Sequence, residues 1–241
     1  MNHSINYMER YARNMLIEGF GREGQTKLAE SSILVIGAGG LGSPVLMYLA
    51  AAGIGRLGVM DYDVVDVTNL QRQVVHGEND IGKPKVESAR ETVEALNPGV
   101  SVVAYRERFT KDNAASLVRE YDFVIDCCDN YETKYLINDI CVAENKAYSH
   151  GAILGMRGEA MTYVPGYADY RSVFPTPPAE GEYLKPEQAG ILGSVAGVIG
   201  SIQATEAIKY LTGIGELLVN RILIFDGGNM TVKILKVNPE I

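Results

Sequence analysis

Apolar residues along this chain fall into two patterns. Short runs occur at Ile33–Ile36, Leu57–Met60, Val100–Tyr105, within Asp122–Asp129 and at Ala147–Ala152. Runs this short, with little polar alternation, predict strands buried on both faces. Between them the sequence predicts helices: Pro44–Ala52, stopped by Gly53; one starting at Gly82 and reaching Asn97, with Pro84 suited to its first turn; one from Thr110 to about Glu120; and Tyr131–Glu144, capped by Asn130. A further helix over residues 5–19 carries Arg10 and Arg13. Regular alternation of strand and helix is the mark of a doubly wound parallel sheet. After residue 150 the style changes. Arg157–Val164 alternates and predicts an antiparallel strand, Pro165–Gln188 is a proline-rich loop suited to a crossover or a partner-binding lid, and 189–211 is a glycine-rich buried helix. Arg221–Asp226 and Met230–Lys236, joined by Gly227-Gly-Asn229, close the chain as a strand pair. The expected fold class is α/β: a Rossmann-like, doubly wound, mostly parallel sheet with an antiparallel C-terminal extension. Residues 1–241 form a single domain, with a nucleotide-binding part at about 30–150 and a second part at about 151–241.

Composition narrows the function. The chain has 241 residues and a formal charge of −8 from 30 acidic and 22 basic side chains, which argues against a polyanion-binding surface and makes nucleic acid an unsuitable partner. Its longest apolar run, Ala189–Ile202, is about 14 residues and glycine-rich, short of the roughly 18 a membrane span needs. The N-terminus has no basic leader or apolar core of the secretory kind, so a cytoplasmic location is expected. Cys127, Cys128 and Cys141 are odd in number and lack Cys-x-x-Cys spacing, which offers neither a disulfide framework nor a cysteine zinc site. His3, His76 and His150 are far apart and lack HExxH spacing; they read as satisfied or surface histidines.

Candidate chemistry gathers after the strands. Gly37-Ala-Gly-Gly-Leu-Gly42 follows the first strand and opens a helix, so Gly37, Gly39, Gly40 and Gly42 suit a tight turn against a phosphate. The glycines alone most often belong to a nicotinamide-dependent oxidoreductase. Asp61, at the tip of the second strand about 20 residues on, suits a ribose hydroxyl. The segment to Gln73 bunches Asn69, Gln71 and Arg72 where ligands of open α/β sheets lie. Lys83 and Lys85 flank a helix start and oppose its dipole, which a bound polyphosphate would explain. Asp129 ends the fourth strand and suits Mg²⁺ held on nucleotide phosphates, although it also neighbours the Asn130 cap.

Taken together, Arg10-Tyr-Ala-Arg13, Gly37–Gly42, Asp61-Tyr-Asp63, Asn69-Leu-Gln-Arg-Gln73, Gly82-Lys-Pro-Lys85, Asp126-Cys-Cys-Asp-Asn130, Gly190-Ile-Leu-Gly193 and Gly200–Lys209 resemble the MoeB/ThiF family, relatives of the ubiquitin-activating enzymes. The resemblance implies ATP-dependent adenylylation of the C-terminal Gly-Gly carboxylate of a small ubiquitin-like sulfur carrier protein, for thiamine, molybdopterin or related sulfur transfer. It implies that the Gly39 and Gly40 region, Asp61, Asn69, Arg72 and Lys85 hold ATP, with Asp63, Gln73 and Asn130 beside them, and that Asp129 binds Mg²⁺. It makes 151–241 the carrier-binding part. Arg13 matches a family arginine that reaches the neighbouring subunit's triphosphate, which implies a homodimer. Departures are informative. Where many members have the first of two zinc-binding Cys-x-x-Cys pairs, this chain has Asp169-Tyr-Arg-Ser172, so no zinc site is expected. Tyr183–Gln188 holds no cysteine where covalent members have one, so the reaction is expected to stop at the acyl-adenylate. An oxidoreductase leaves Arg72, Lys85, Asp129 and the N-terminal arginines without a role; a non-catalytic nucleotide-binding scaffold subunit is suggested only by the missing cysteine.

Overall fold

A computed structural model of the chain describes residues 7–179 and 186–238. Its strands are β1 (Ser32–Ile36), β2 (Arg56–Met60), β3 (Ser101–Tyr105), β4 (Phe123–Asp126), β5 (Tyr148–Leu154), β6 (Arg157–Tyr163), β7 (Arg221–Asp226) and β8 (Thr231–Lys236). They form one sheet in the order β3-β2-β1-β4-β5-β6-β7-β8, parallel from β3 to β5 and antiparallel from β5 to β8. The helices are α1 (Tyr7–Arg10), α2 (Ala12–Met15), α3 (Gly21–Glu30), α4 (Gly42–Ala52), α5 (Lys85–Leu96), α6 (Ala114–Arg119), α7 (Tyr131–Ala143), α8 (Pro186–Ala189) and α9 (Gly193–Thr212).

The unbroken apolar runs are explained by what covers the sheet. In β1, Ile33 and Val35 face one core, built with Leu28 of α3, Leu46 and Leu49 of α4, Val86 and Val93 of α5 and Ile199 of α9. Leu34 and Ile36 face the other, built with Leu117 of α6, Tyr135 and Ile137 of α7 and Tyr170. Both faces of β1 are therefore dry, which favours apolar residues along it. From β1 the chain winds outward through β2 and β3, then returns to place β4 on the other side of β1. The helices that follow β1 and β4, α4 and α7, pack on opposite faces of the sheet, and the crevice at that switch point is where an open α/β sheet takes its ligand.

Several expected elements are redrawn. The N-terminal helix breaks at buried Tyr11 into α1 and α2, and its first two positions lie outside the described residues. Helix α3 is not among the expected elements; its Gly24 turns inward, where an added Cβ would stand 3.0 Å from the Phe20 ring. Helix α6 starts at Ala114 because Thr110–Asn113 closes as a turn, with the Thr110 N–H donating to Asn113 Oδ1 at 2.9 Å. Pro84 caps α5 from outside rather than sitting in its first turn. The glycine-rich helix begins at Gly193, since Gly190 adopts a φ of 72° and separates it from α8. Among the described residues no helix is long and apolar enough to cross a membrane.

Candidate nucleotide site

The glycine loop is folded tightly on itself. Gly37 has a φ of 104° and its N–H donates to Met60 O at 2.8 Å; a Cβ there would meet Cys127 O, at the end of β4, at 2.6 Å. A Cβ on Gly42 would lie 2.0 Å from Gly37 O. The loop thus touches the ends of β2 and β4 together, and only glycine lets the backbone approach this closely. Gly37→Ala is expected to destabilise the protein by at least about 2 kcal/mol, read by urea unfolding; an unchanged midpoint contradicts this packing.

Two side chains brace the loop from behind. Asp61 Oδ2 accepts from the Ala38 N–H at 2.9 Å and Oδ1 from the Asp63 N–H at 2.9 Å, so the expected ribose ligand also ties the loop to the turn after β2. His76, which the sequence reading treated as bland, is buried at the same place. Its Nε2 lies 3.0 Å from Ala38 O and its Nδ1 2.8 Å from Ser88 Oγ. Burial holds the imidazole below its ordinary pKa, against the hydrogen bond to Ala38. In the neutral ring Nε2 carries the proton, because Ala38 O can only accept, and Nδ1 accepts from the serine hydroxyl. Unfolded chains take up this proton near the ordinary value of 6.5 while folded ones resist it, so stability is full above that pH and falls below it. His76→Gln is expected to flatten the slope of unfolding free energy between about pH 7 and pH 5; an unchanged slope assigns the dependence elsewhere.

The segment from residue 61 to 85 brings the predicted polar residues to the loop. Asp66 and Asn69 cap a short 3-10 helix, Asp66 Oδ1 accepting from the Thr68 N–H at 2.8 Å and Asn69 Oδ1 from the Asp66 N–H at 3.1 Å. This turn delivers Arg72 and Gln73. An added Cβ on Gly40 would meet Arg72 Cγ at 3.5 Å, and one on Gly39 would meet Gln73 Nε2 at 3.6 Å. The Arg72 guanidinium donates to Thr68 O at 3.1 Å and is half-buried. Gln73 is 4% exposed, and its Oε1 is a buried acceptor with no partner among the described residues. Such an orphan beside a phosphate-type loop is what a site awaiting a polar ligand presents. Lys85 is 7% exposed, and its Nζ donates to Asp63 Oδ2 at 3.1 Å. Lys83 is matched by Asp80 at 2.8 Å and Glu91 at 2.7 Å as Lys85 is by Asp63, so neither helix-start lysine by itself requires a polyphosphate.

Beyond β4 the chain leaves the sheet at Asp126, and Cys127–Asp129 form a loop. Asp129 is exposed and makes no side-chain hydrogen bond among the described residues. Asn130 Oδ1 caps α7 through the Thr133 N–H at 2.9 Å. Burial pushes the thiols of Cys127, Cys128 and Cys141 well above their ordinary value, opposite to the direction that makes a reactive thiolate. Arg13 lies elsewhere. Its exposed turn is anchored by Asn14 on Ala52 O at 3.4 Å and by Asn97 Nδ2 donating to the Tyr11 hydroxyl at 2.7 Å, at the far ends of α4 and α5. The 11 residues of α4 separate that end from the glycine loop by about 16 Å. At Asp169–Ser172 the Ser172 N–H and hydroxyl both donate to Asp169 Oδ1 at 2.9 Å, and Tyr170 packs edge-on to Tyr135 with ring centroids 5.1 Å apart. Of the residues singled out by sequence, His3 and 183–185 of the Tyr183–Gln188 segment lie outside the described residues.

A glycine loop at the switch point of a doubly wound sheet, braced by Asp61 and flanked by Arg72 and Gln73, defines a Rossmann-like α/β protein. The chain belongs to the ThiF family, whose pattern it matches over residues 11–240. It is 46% identical over 228 residues to the maize adenylyltransferase and sulfurtransferase MOCS3-1, a match that covers 94% of this chain and 49% of that protein. With the SAMP-activating enzyme E1 of Haloferax volcanii it shares 45% identity over 235 residues, 97% of this chain and 87% of the other. The chain thus spans about half the length of the maize relative. The fold is that of E. coli MccB, crystallised with AMPCPP and MccA: TM-score 0.86 at 24% identity, covering 98% of this chain and 73% of that one.

Proposed function

We propose that the chain is an adenylyltransferase that uses ATP with Mg²⁺ to activate the C-terminal Gly-Gly carboxylate of a small ubiquitin-like sulfur carrier, for thiamine, molybdopterin or related sulfur transfer. The observation that carries this reading is the approach of Arg72 and the orphaned Gln73 to the glycine loop, with buried Lys85 held on Asp63 of the adjoining turn. It is joined by the relatives' names, which couple adenylyltransferase with sulfurtransferase or describe an activating E1.

In this reaction a carrier carboxylate oxygen bonds to the α-phosphorus of ATP, the bond from that phosphorus to the bridging oxygen breaks, and pyrophosphate leaves with the electron pair. Two anions must approach, so the chain's task is to neutralise charge and hold the reactants in line; no protein nucleophile is needed. Arg72 and Lys85 supply positive charge against the phosphates, Lys85 exchanging or sharing Asp63. The amides of Gly39 and Gly40 approach the phosphates, Asp61 faces the ribose, and Asn69, Gln73 and Asn130 add polar contacts. Asp129 fits Mg²⁺, which commonly takes one or two protein carboxylates and completes its shell with phosphate oxygens and water. When bound, the ion supplies charge neutralisation between the phosphates. Arg13, remote from its own chain's glycine loop, acts on the partner's site in a homodimer. Residues 151–241 receive the carrier, no zinc is required, the reaction stops at the acyl-adenylate, and the enzyme works in the cytoplasm.

Mass spectrometry of a reaction with ATP, Mg²⁺ and a Gly-Gly carrier tests the end point. The expected product is a carrier bearing AMP, with no enzyme–carrier conjugate. A thiol-sensitive conjugate would refute the acyl-adenylate end point.

A further inference from the structure

Beneath the site lies a group of buried charges that the proposed reaction does not use. Asp126, 1% exposed, ends β4; its Oδ2 accepts from Lys134 Nζ of α7 at 3.0 Å and from His150 Nδ1 of β5 at 2.8 Å. Lys134 also donates to Gly151 O at 2.7 Å, and His150 Nε2 lies 3.4 Å from Glu159 Oε1 of β6. Burial opposes ionisation of Asp126, but the Lys134 charge and the His150 contact overcome it and hold the carboxyl below the usual carboxylate range. A buried ion pair seldom stabilises a fold more than well-packed apolar residues would. Stability alone is therefore a weak reason for it.

What the group grips gives a better reason. Asp126 Oδ1 accepts from the Cys128 N–H at 3.1 Å and its thiol at 2.7 Å, and Asp126 O accepts from Gln203 Nε2 of α9 at 2.7 Å. Both side chain and carbonyl are therefore pinned where the chain turns out of the sheet. At one end of this short segment the Cys127 N–H donates to Ile36 O at 2.9 Å, and Cys127 O abuts Gly37; at the other end stands Asp129.

We infer that Lys134 and His150 are positioning residues: acting through Asp126, they fix the Cys127–Asp129 segment and so set the Asp129 carboxylate in register with the glycine loop. The functional part of this rests on the proposed adenylyltransferase reading; the positional part does not.

Lys134→Met tests both parts. Amide hydrogen exchange over 127–130 is expected to accelerate at least about tenfold while β1 and β2 keep their protection. In ATP–pyrophosphate exchange kcat is expected to fall about 10²-fold, the loss typical of a reacting group displaced by about 1 Å, with KM for ATP nearly unchanged. Lys134→Arg keeps the charge with a different fork and is expected to lose less of both readouts than Lys134→Met. Should Lys134→Met fail to fold, His150→Phe keeps the ion pair and carries the same expectations at smaller size. Parent-like protection at 127–130 in a folded variant overturns the inference, as does a loss confined to KM or to thermal stability. A parent enzyme that exchanges with no carrier, with protection still lost in the variant, refutes the adenylyltransferase reading and leaves the positioning role standing.

Discussion

Asp129→Ala is expected to lower carrier-dependent ATP–pyrophosphate exchange at least about 10³-fold while leaving the fold intact. The two halves of that expectation have separate grounds. Asp129 is exposed and makes no side-chain hydrogen bond among the described residues, so its removal should change stability by no more than about 0.5 kcal/mol. Yet it stands on the segment that runs from the glycine loop's neighbour Cys127, and it is the acidic side chain the proposal gives to Mg²⁺. Exchange rates with Mg²⁺ titrated, alongside a thermal melt, check the pair. Exchange within about threefold of the parent would remove Asp129 from the ion's proposed ligands.

Arg13→Ala should cost about as much, in the range of 10³-fold or more associated with arginine groups that reach a transferring phosphoryl from outside its own site. The position of Arg13 makes the test sharper than a simple loss. Its turn docks at the end of α4 remote from the glycine loop, so a cis role and a trans role predict different behaviour in mixtures. Arg13→Ala and Asp129→Ala chains, each inactive alone, are expected to regain about a quarter of parental activity when mixed and re-equilibrated. Half of the dimers are then mixed, and each mixed dimer holds one site with both groups intact. No recovery, with mixed dimers demonstrated by differential tagging, contradicts the trans assignment.

Much of this candidate site is legible in the sequence because its signals are local. The glycine spacing, the acid at the tip of β2 and the acid after β4 each follow from where a strand ends, and buried parallel strands announce themselves as unbroken apolar runs. Helix α3 was not anticipated: it opens on Gly21 at a φ of 55° and holds Gly24 against the Phe20 ring one turn back, and glycines in those places give no helical signal. The brace of His76 on Ala38 and the Asp126–Lys134–His150 group were also illegible. Their partners are brought together by the winding of the sheet, and nothing in the local sequence of a lone histidine or a helix lysine announces a buried contact. Lys83 shows the opposite error. A charge that looked functional at a helix start is matched by Asp80, three residues away, and by Glu91, one face along α5. Lys85, its neighbour but one, turns inward to Asp63 and remains with the site.

The most direct measurement is exchange of labelled pyrophosphate into ATP by the whole chain with a panel of small ubiquitin-like carriers ending in Gly-Gly. Exchange is expected to require both Mg²⁺ and a carrier, and to disappear when the carrier's terminal glycine is removed. Absence of exchange with every carrier, together with binding of NADH at the glycine loop, would contradict the adenylyltransferase reading.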